Sequence, residues 1–325
     1  MRWLVTGGAG FIGSHVADSI LGAKHQVTAL DNVSTGSRDN VAHLFDNPAF
    51  SLVEGSIMDA DLVDRLAAEH DVVVHLAAAV GVKLIVERPL ESLLTNIRGT
   101  ENVLDAAARY GRRTLLTSTS EIYGKNATGP VAEDADRILG SPFVARWSYS
   151  TSKAVDEILA HAYWEDRGLE TIVVRLFNCV GPRQSGDFGM VVPTFVRQAL
   201  RGDPLTVHGD GQQQRSFCHV QDTVAALLAL LETPDAAGNV YNVGAPNEIT
   251  MEQLAKEVMV RTDSTSELRL IPYERAYGDG FEDMERRVPD ITRIRRLTGW
   301  SPTRSLDDIL NDVIAYERRR VEAPA

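Results

Sequence analysis

Thr6-Gly7-Gly8-Ala9-Gly10-Phe11-Ile12-Gly13 decides the fold of this 325-residue chain. The stretch follows a short apolar run at 2–6 and opens a pattern of helical period over 11–22. Gly7, Gly10 and Gly13 recur every three residues, a spacing that lets the backbone turn tightly, approach a pyrophosphate and aim a helix N-terminus at its charge. Ordinary turns also collect glycine. Here a strand precedes them, a helix follows, and Asp31 stands at the end of a second apolar run at 26–30, so a dinucleotide site is the better reading. A carboxylate there accepts hydrogen bonds from the adenosine ribose and repels a 2′-phosphate, which predicts NAD rather than NADP. Arg38, seven residues on, argues weakly the other way.

Working outward, further short apolar runs at 50–53, 71–75, 113–117 and 171–176 alternate with helical patterns at 91–110 and 149–167. That rhythm predicts an α/β, Rossmann-type doubly wound parallel sheet. After about residue 177 it breaks into Gly/Pro/Arg-rich loops, with helices near 190–201, 220–232, 250–260 and 305–320. The expected organisation is therefore a dinucleotide-binding domain over 1–177 and a smaller, irregular α/β substrate domain over 178–325, with some chain crossing back to the sheet. Ligands of such folds bind beyond the C-terminal ends of the strands.

Composition narrows the function. Lys and Arg number 33 against 45 Asp and Glu, a net charge of −12, which disfavours a nucleic-acid or anionic-membrane binder. Two cysteines, Cys179 and Cys218, are too few for a disulfide framework and read as reduced thiols. The N-terminus lacks a signal-peptide pattern, and no run approaches the length of a membrane helix. These features predict a soluble, cytoplasmic protein. The histidines show no metal-ligand spacing, so no metal is expected.

Tyr149-Ser150-Thr151-Ser152-Lys153 places a tyrosine and a lysine one helical turn apart. With eight tyrosines and five lysines in the chain, a chance Tyr-x-x-x-Lys is rare. The pair suits alcohol oxidation: a nearby ammonium is expected to lower the phenol pKa, making Tyr149 a base for a hydroxyl whose carbon gives hydride to nicotinamide.

At these residues the chain resembles the extended short-chain dehydrogenases/reductases, the NAD-dependent epimerase/dehydratase family that acts on nucleotide sugars. The resemblance runs through Thr6 to Gly13, His75-Leu76-Ala77-Ala78, Thr117 to Gly124, Tyr149 to Lys153, Arg175 to Arg183, Leu205 to Arg215 and Gly299-Trp300-Ser301-Pro302. It implies cofactor contacts from Gly7, Gly10, Phe11, Ile12, Gly13, Asp31, Asn32, Ser56, Ile57, Leu76, Ala77, Ala78, Asn96, Thr117, Tyr149 and Lys153. Ser56 stands where the family usually carries an aspartate that touches adenine. The resemblance further implies that Ser118 and Thr119 approach the nicotinamide and the sugar 4-hydroxyl, that Asn178 and Val192 line the substrate site, and that Arg183, Arg215 and Arg287 surround a diphosphate. Family members pair as homodimers through helices matching 91–110 and 149–167.

Within the family the chemistry turns on the 4-keto sugar. Ser118-Thr119-Ser120-Glu121-Ile122-Tyr123-Gly124 carries a glutamate where simple 4-epimerases generally have a small or apolar residue. A carboxylate there suits proton handling at C5, although a cap or an arginine partner would also explain it. Arg146 to Lys153 and Tyr277 to Asp290 resemble the matching segments of UDP-glucuronate decarboxylases, with Arg287 the arginine that approaches the sugar. A 4,6-dehydratase would need an aspartate before Glu121, where Ser120 stands. The expected substrate is a UDP-sugar acid, with Tyr149, Lys153, Thr119, Glu121 and Arg287 catalytic, Ser118 and Ser120 beside the sugar, and Lys83 at the uronate carboxylate. A UDP-sugar 4-epimerase is the alternative.

Overall fold

The computed structural model describes residues 1–81, 88–126, 129–144, 146–186, 189–277, 282 and 284–322. Side chains along the central strands alternate between two cores, as the twofold period of a strand requires. In β1 (Arg2–Thr6), Trp3 and Val5 face one core and Leu4 the other. The same alternation holds in β4 (Val72–His75), where Val72 and Val74 oppose Val73, and in β6 (Thr171–Leu176), where Ile172 and Val174 oppose Val173. A sheet buried on both faces is the parallel, doubly wound kind.

With β2 (Gln26–Asp31), β3 (Phe50–Glu54) and β5 (Arg113–Thr119), these strands form a seven-stranded sheet whose seventh member is Asn239–Val243. Across the sheet the order is Asn239–Val243, β6, β5, β4, β1, β2, β3, and every pairing is parallel. Successive strands step outward in opposite directions from β1 and β4, which pair with Thr6 beside His75 at their C-terminal ends. The crevice at such a reversal is where this architecture binds a dinucleotide.

The helix α1 (Phe11–Gly22) covers one face together with Val220–Glu232. The other face is covered by α2 (Ala60–Glu69), absent from the sequence reading, and by Pro89–Tyr110 and Arg146–Arg167. Pro at the first turn starts Pro89–Tyr110 two residues earlier than the apolar pattern predicts, since a missing N–H costs nothing there. Both Asn239–Val243 and Val220–Glu232 come from the second half of the chain and complete the sheet layer. A separate apolar core joins the helices Val191–Arg201, Met251–Thr262 and Leu306–Glu322, through Phe195, Val196, Leu254, Val258, Ile309 and Val313. Cys179 and Cys218 are free thiols on paired short strands. Among the described residues no helix is long and apolar enough to cross a membrane.

Candidate active site

The glycine turn is built by close backbone approach. Gly7 has φ +71°, and a Cβ there would stand 2.8 Å from the Ala77 amide nitrogen in the loop after β4. A Cβ at Gly13 would collide with the Gly7 carbonyl oxygen, so the third glycine is what lets α1 start against the strand. Phe11 and Ile12 then pack partly buried in the first turn. The Leu76 amide donates to the Thr6 carbonyl at 3.1 Å and the Ala77 amide to Thr6 Oγ1 at 3.3 Å, which presses Leu76-Ala77-Ala78 against the turn. Beneath them, His75 bridges Thr6 Oγ1 at 2.7 Å and Thr100 Oγ1 at 3.0 Å. Its burial, with the Lys153 charge adding, pushes its pKa down to about 3, so it is a neutral strut.

Asp31 ends β2 with its carboxylate accepting from the Ala9 amide at 2.9 Å and the Val33 amide at 2.8 Å. Burial raises its pKa while these amides oppose the rise. Arg38 is ion-paired with Glu54 on the surface. Asn32 turns back to hold Ser34, Ser56 Oγ accepts from the Met58 amide at 3.1 Å, and Ile57 is buried against Gly99. Thr117 Oγ1 donates to the His75 carbonyl at 3.1 Å, whereas the buried Ser118 hydroxyl has no partner among the described residues. A buried hydroxyl left open costs free energy unless a ligand meets it. The glycine turn, the held carboxylate and this open hydroxyl fit NAD.

Tyr149 lies in Arg146–Arg167, and Asn96 staples that helix to the loop after β4. Asn96 Nδ2 donates to Ser152 Oγ at 3.1 Å, and its Oδ1 accepts from the Ala79 amide at 2.7 Å. Thr119 closes β5 and its hydroxyl accepts from the Glu121 amide at 3.2 Å, capping the short turn Ser120–Tyr123. Ser120 is buried at the start of that turn, which turns Glu121 inward.

Glu121 is the electrostatic centre of the site. Arg146 forks onto its carboxylate with both terminal nitrogens, the longer contact being 3.2 Å, and Arg287 Nη1 reaches it at 3.4 Å. All three side chains are largely buried, at 15%, 6% and 13% exposure. Arg287 also donates to Asn178, whose Nδ2 holds the Ser216 carbonyl at 2.8 Å. Arg215 and Arg287 lie side by side because their short strands pair in parallel with these two residues in register. A cavity of about 270 Å³ is lined by Glu121, Arg146, Tyr149, Asn178, Arg215 and Arg287 together with Val192 and Phe217. Sequence reading passed over Arg146 as a site residue. The helix begins one turn before Tyr149, and this extra turn brings Arg146 to the carboxylate.

Two expectations need correction. Arg183 is turned toward α1, where its Nη1 pairs with Asp18 at 2.8 Å, and it is not among the described cavity-lining residues. The Tyr149 phenol pKa is pushed up rather than down in the ligand-free protein, by burial first and then by the Glu121 and Asp156 carboxylates, while Lys153 Nζ is bound to Asp156 at 2.9 Å. Lys83 lies outside the described residues.

Residues 3–244 match the model of the NAD dependent epimerase/dehydratase family. A UDP-N-acetyl-alpha-D-glucosaminuronate decarboxylase of Bacillus cytotoxicus is 38% identical over 318 residues, covering 98% of each chain. UDP-glucuronic acid decarboxylase 1 of Arabidopsis thaliana is 38% identical over 99% of this chain and 71% of its own length. Among solved structures, the UDP-glucuronic acid 4-epimerase of Bacillus cereus, in complex with UDP-glucuronic acid and NAD, superposes with a TM-score of 0.88 at 28% identity. It covers 98% of this chain and 100% of its own. The glycine turn, the Tyr149–Lys153 spacing and these matches agree, and the chain belongs to the NAD-dependent epimerase/dehydratase family.

Proposed function

We propose that this enzyme is an NAD-dependent decarboxylase of a UDP-sugar acid, with UDP-glucuronate as substrate and UDP-xylose as product. The observation that carries the reading is the Glu121 carboxylate held between Arg146 and Arg287 on the wall of the cavity that Tyr149 also lines. Neither hydride removal nor hydride return at C4 needs a carboxylate there. Loss of a C6 carboxylate followed by protonation at C5 does. Guanidiniums on the wall of the cavity suit an anionic sugar.

NAD, held by the Gly7–Gly13 turn and Asp31, would supply the hydride acceptor and donor for C4 of the sugar. Tyr149, on the cavity wall, is the group that receives the proton of the 4-hydroxyl. Oxidation at C4 makes the C6 carboxylate part of a β-keto acid, and the C5–C6 bond breaks with its electron pair passing into a C4–C5 enolate as carbon dioxide leaves. Tyr149 and Thr119 are the donors for the enolate oxygen, stabilising charge where it develops. A water oriented by Glu121, itself held by Arg146, supplies the proton added at C5, and Arg287 with Arg215 meets the diphosphate. The names of the decarboxylase relatives support this assignment. A homodimer formed through Pro89–Tyr110 and Arg146–Arg167, in the cytoplasm, completes the reading.

A UDP-sugar 4-epimerase is the second reading, favoured by the close superposition on epimerases such as that of Thermotoga maritima, with a TM-score of 0.89 at 31% identity. Parallel incubation with UDP-glucuronate, UDP-galacturonate and UDP-glucose in the presence of NAD separates the two. A product lighter by carbon dioxide from a uronate is expected. Turnover of UDP-glucose alone, with both uronates inert, would overturn the proposal.

A further inference from the structure

Lys153 has a buried partner on its own helix. Its Nζ donates to Asp156 Oδ2 at 2.9 Å, and the two side chains are 2% and 0% exposed. A carboxylate buried to this degree is destabilised by lost hydration unless a cation and hydrogen bonds hold it, and Lys153 supplies both. The same contact spends the lysine charge. Seen from Tyr149, an ammonium and a carboxylate in contact act as a dipole, whose field falls off faster than that of a lone cation.

Other charged groups among the described residues face this pair and the phenol. Glu121 faces the phenol and disfavours its anion, while Arg146 and Arg287 favour it. Neutral His75 lies beside Lys153. Glu157 faces Asp156, but its own charge is engaged by Arg175 at 2.7 Å.

We propose that Asp156 is a positioning residue: it anchors the Lys153 ammonium and offsets the lysine charge that Tyr149, one turn earlier on the same helix face, would otherwise meet in the ligand-free enzyme. The inference rests on Tyr149 being the base of the reaction proposed above, and it assigns Asp156 a role in tuning that base.

The test is a pH titration of the ligand-free full-length enzyme carrying 13Cζ-labelled tyrosine, with Tyr149 assigned by loss of its resonance in Tyr149→Phe. In the wild type the Tyr149 signal should not ionise below the ordinary tyrosine range, about pH 10. In Asp156→Asn it should ionise at least about one pH unit lower than in the wild type, because a nearby anion is removed and the ammonium left uncompensated. Asp156→Glu, which keeps the charge, should restore wild-type titration, and the acid limb of kcat/KM should move with the resonance. A purely structural role would lower activity without moving either. An Asn variant that titrates with the wild type overturns the proposal. So does a wild-type Tyr149 already ionised near neutral pH, a result that stands even if a variant fails to fold. No sugar enters the titration, so its failure is distinguishable from failure of the decarboxylase reading.

Discussion

Replacing Glu121 with glutamine removes one negative charge at constant shape, and its effect can be worked from the contacts. The carboxylate accepts two contacts from Arg146 and one from Arg287, all in a largely buried setting. Removing one partner of a buried pair costs about 3–5 kcal/mol. The glutamine oxygen still accepts from one guanidinium and Arg287 keeps Asn178, so a loss of about 2 kcal/mol is expected, measured by urea denaturation. The kinetic effect should be larger. Loss of a positioned proton-transfer group lowers turnover by about 100-fold or more. Binding of UDP-glucuronate should hold or tighten, because Glu121 repels the uronate. Release of carbon dioxide gives the rate, and calorimetry gives the affinity. A glutamine variant that decarboxylates at close to the wild-type rate would refute the role assigned to Glu121, whatever its stability.

Arg146→Lys keeps the charge but not the fork, and kcat/KM for UDP-glucuronate should fall about tenfold while NAD affinity is unchanged; an unaltered kcat/KM would mean the second guanidinium nitrogen is dispensable. Gly13→Ala pushes a Cβ into the Gly7 carbonyl, and calorimetry should show NAD binding lost; wild-type affinity would contradict the close-approach account. His75 has a native pKa of about 3, whereas the unfolded chain takes up a proton near the ordinary histidine value. The unfolded state therefore binds more protons below about pH 6.5, and stability falls as pH drops from there toward 3, by up to about 1.4 kcal/mol per pH unit. Denaturation of His75→Gln across that range should show a shallower slope, and identical slopes would remove His75 as the source.

How far the sequence disclosed this arrangement depended on the range of each signal. The glycine spacing, β1 to β6 and the Tyr-x-x-x-Lys turn are local patterns, and the structure forms each of them where the sequence places it. The seventh strand was not visible because Asn239–Val243 mixes two asparagines into a short run. Asn242 is instead buried for its hydrogen bonds to Tyr123 and to the Val131 carbonyl. Glu121 was noticed through its place after β5, but Arg146 needed the helix start and the inward turn at Ser120, which are tertiary facts. Arg183 shows the reverse: a loop arginine after Gly-Pro looks free in sequence, and the fold gives it to Asp18. Asp156 has no sequence signal of its own: three residues past Lys153, it becomes a partner only because the fold buries both side chains.

The account stands most directly on the fate of the sugar carboxylate. UDP-glucuronate labelled with 13C at C6, incubated with the enzyme and NAD, can be followed by carbon NMR. The label should leave as carbon dioxide and bicarbonate in step with formation of a UDP-pentose. Label retained in a uronic acid whose C4 configuration is inverted would contradict the account and establish the epimerase instead.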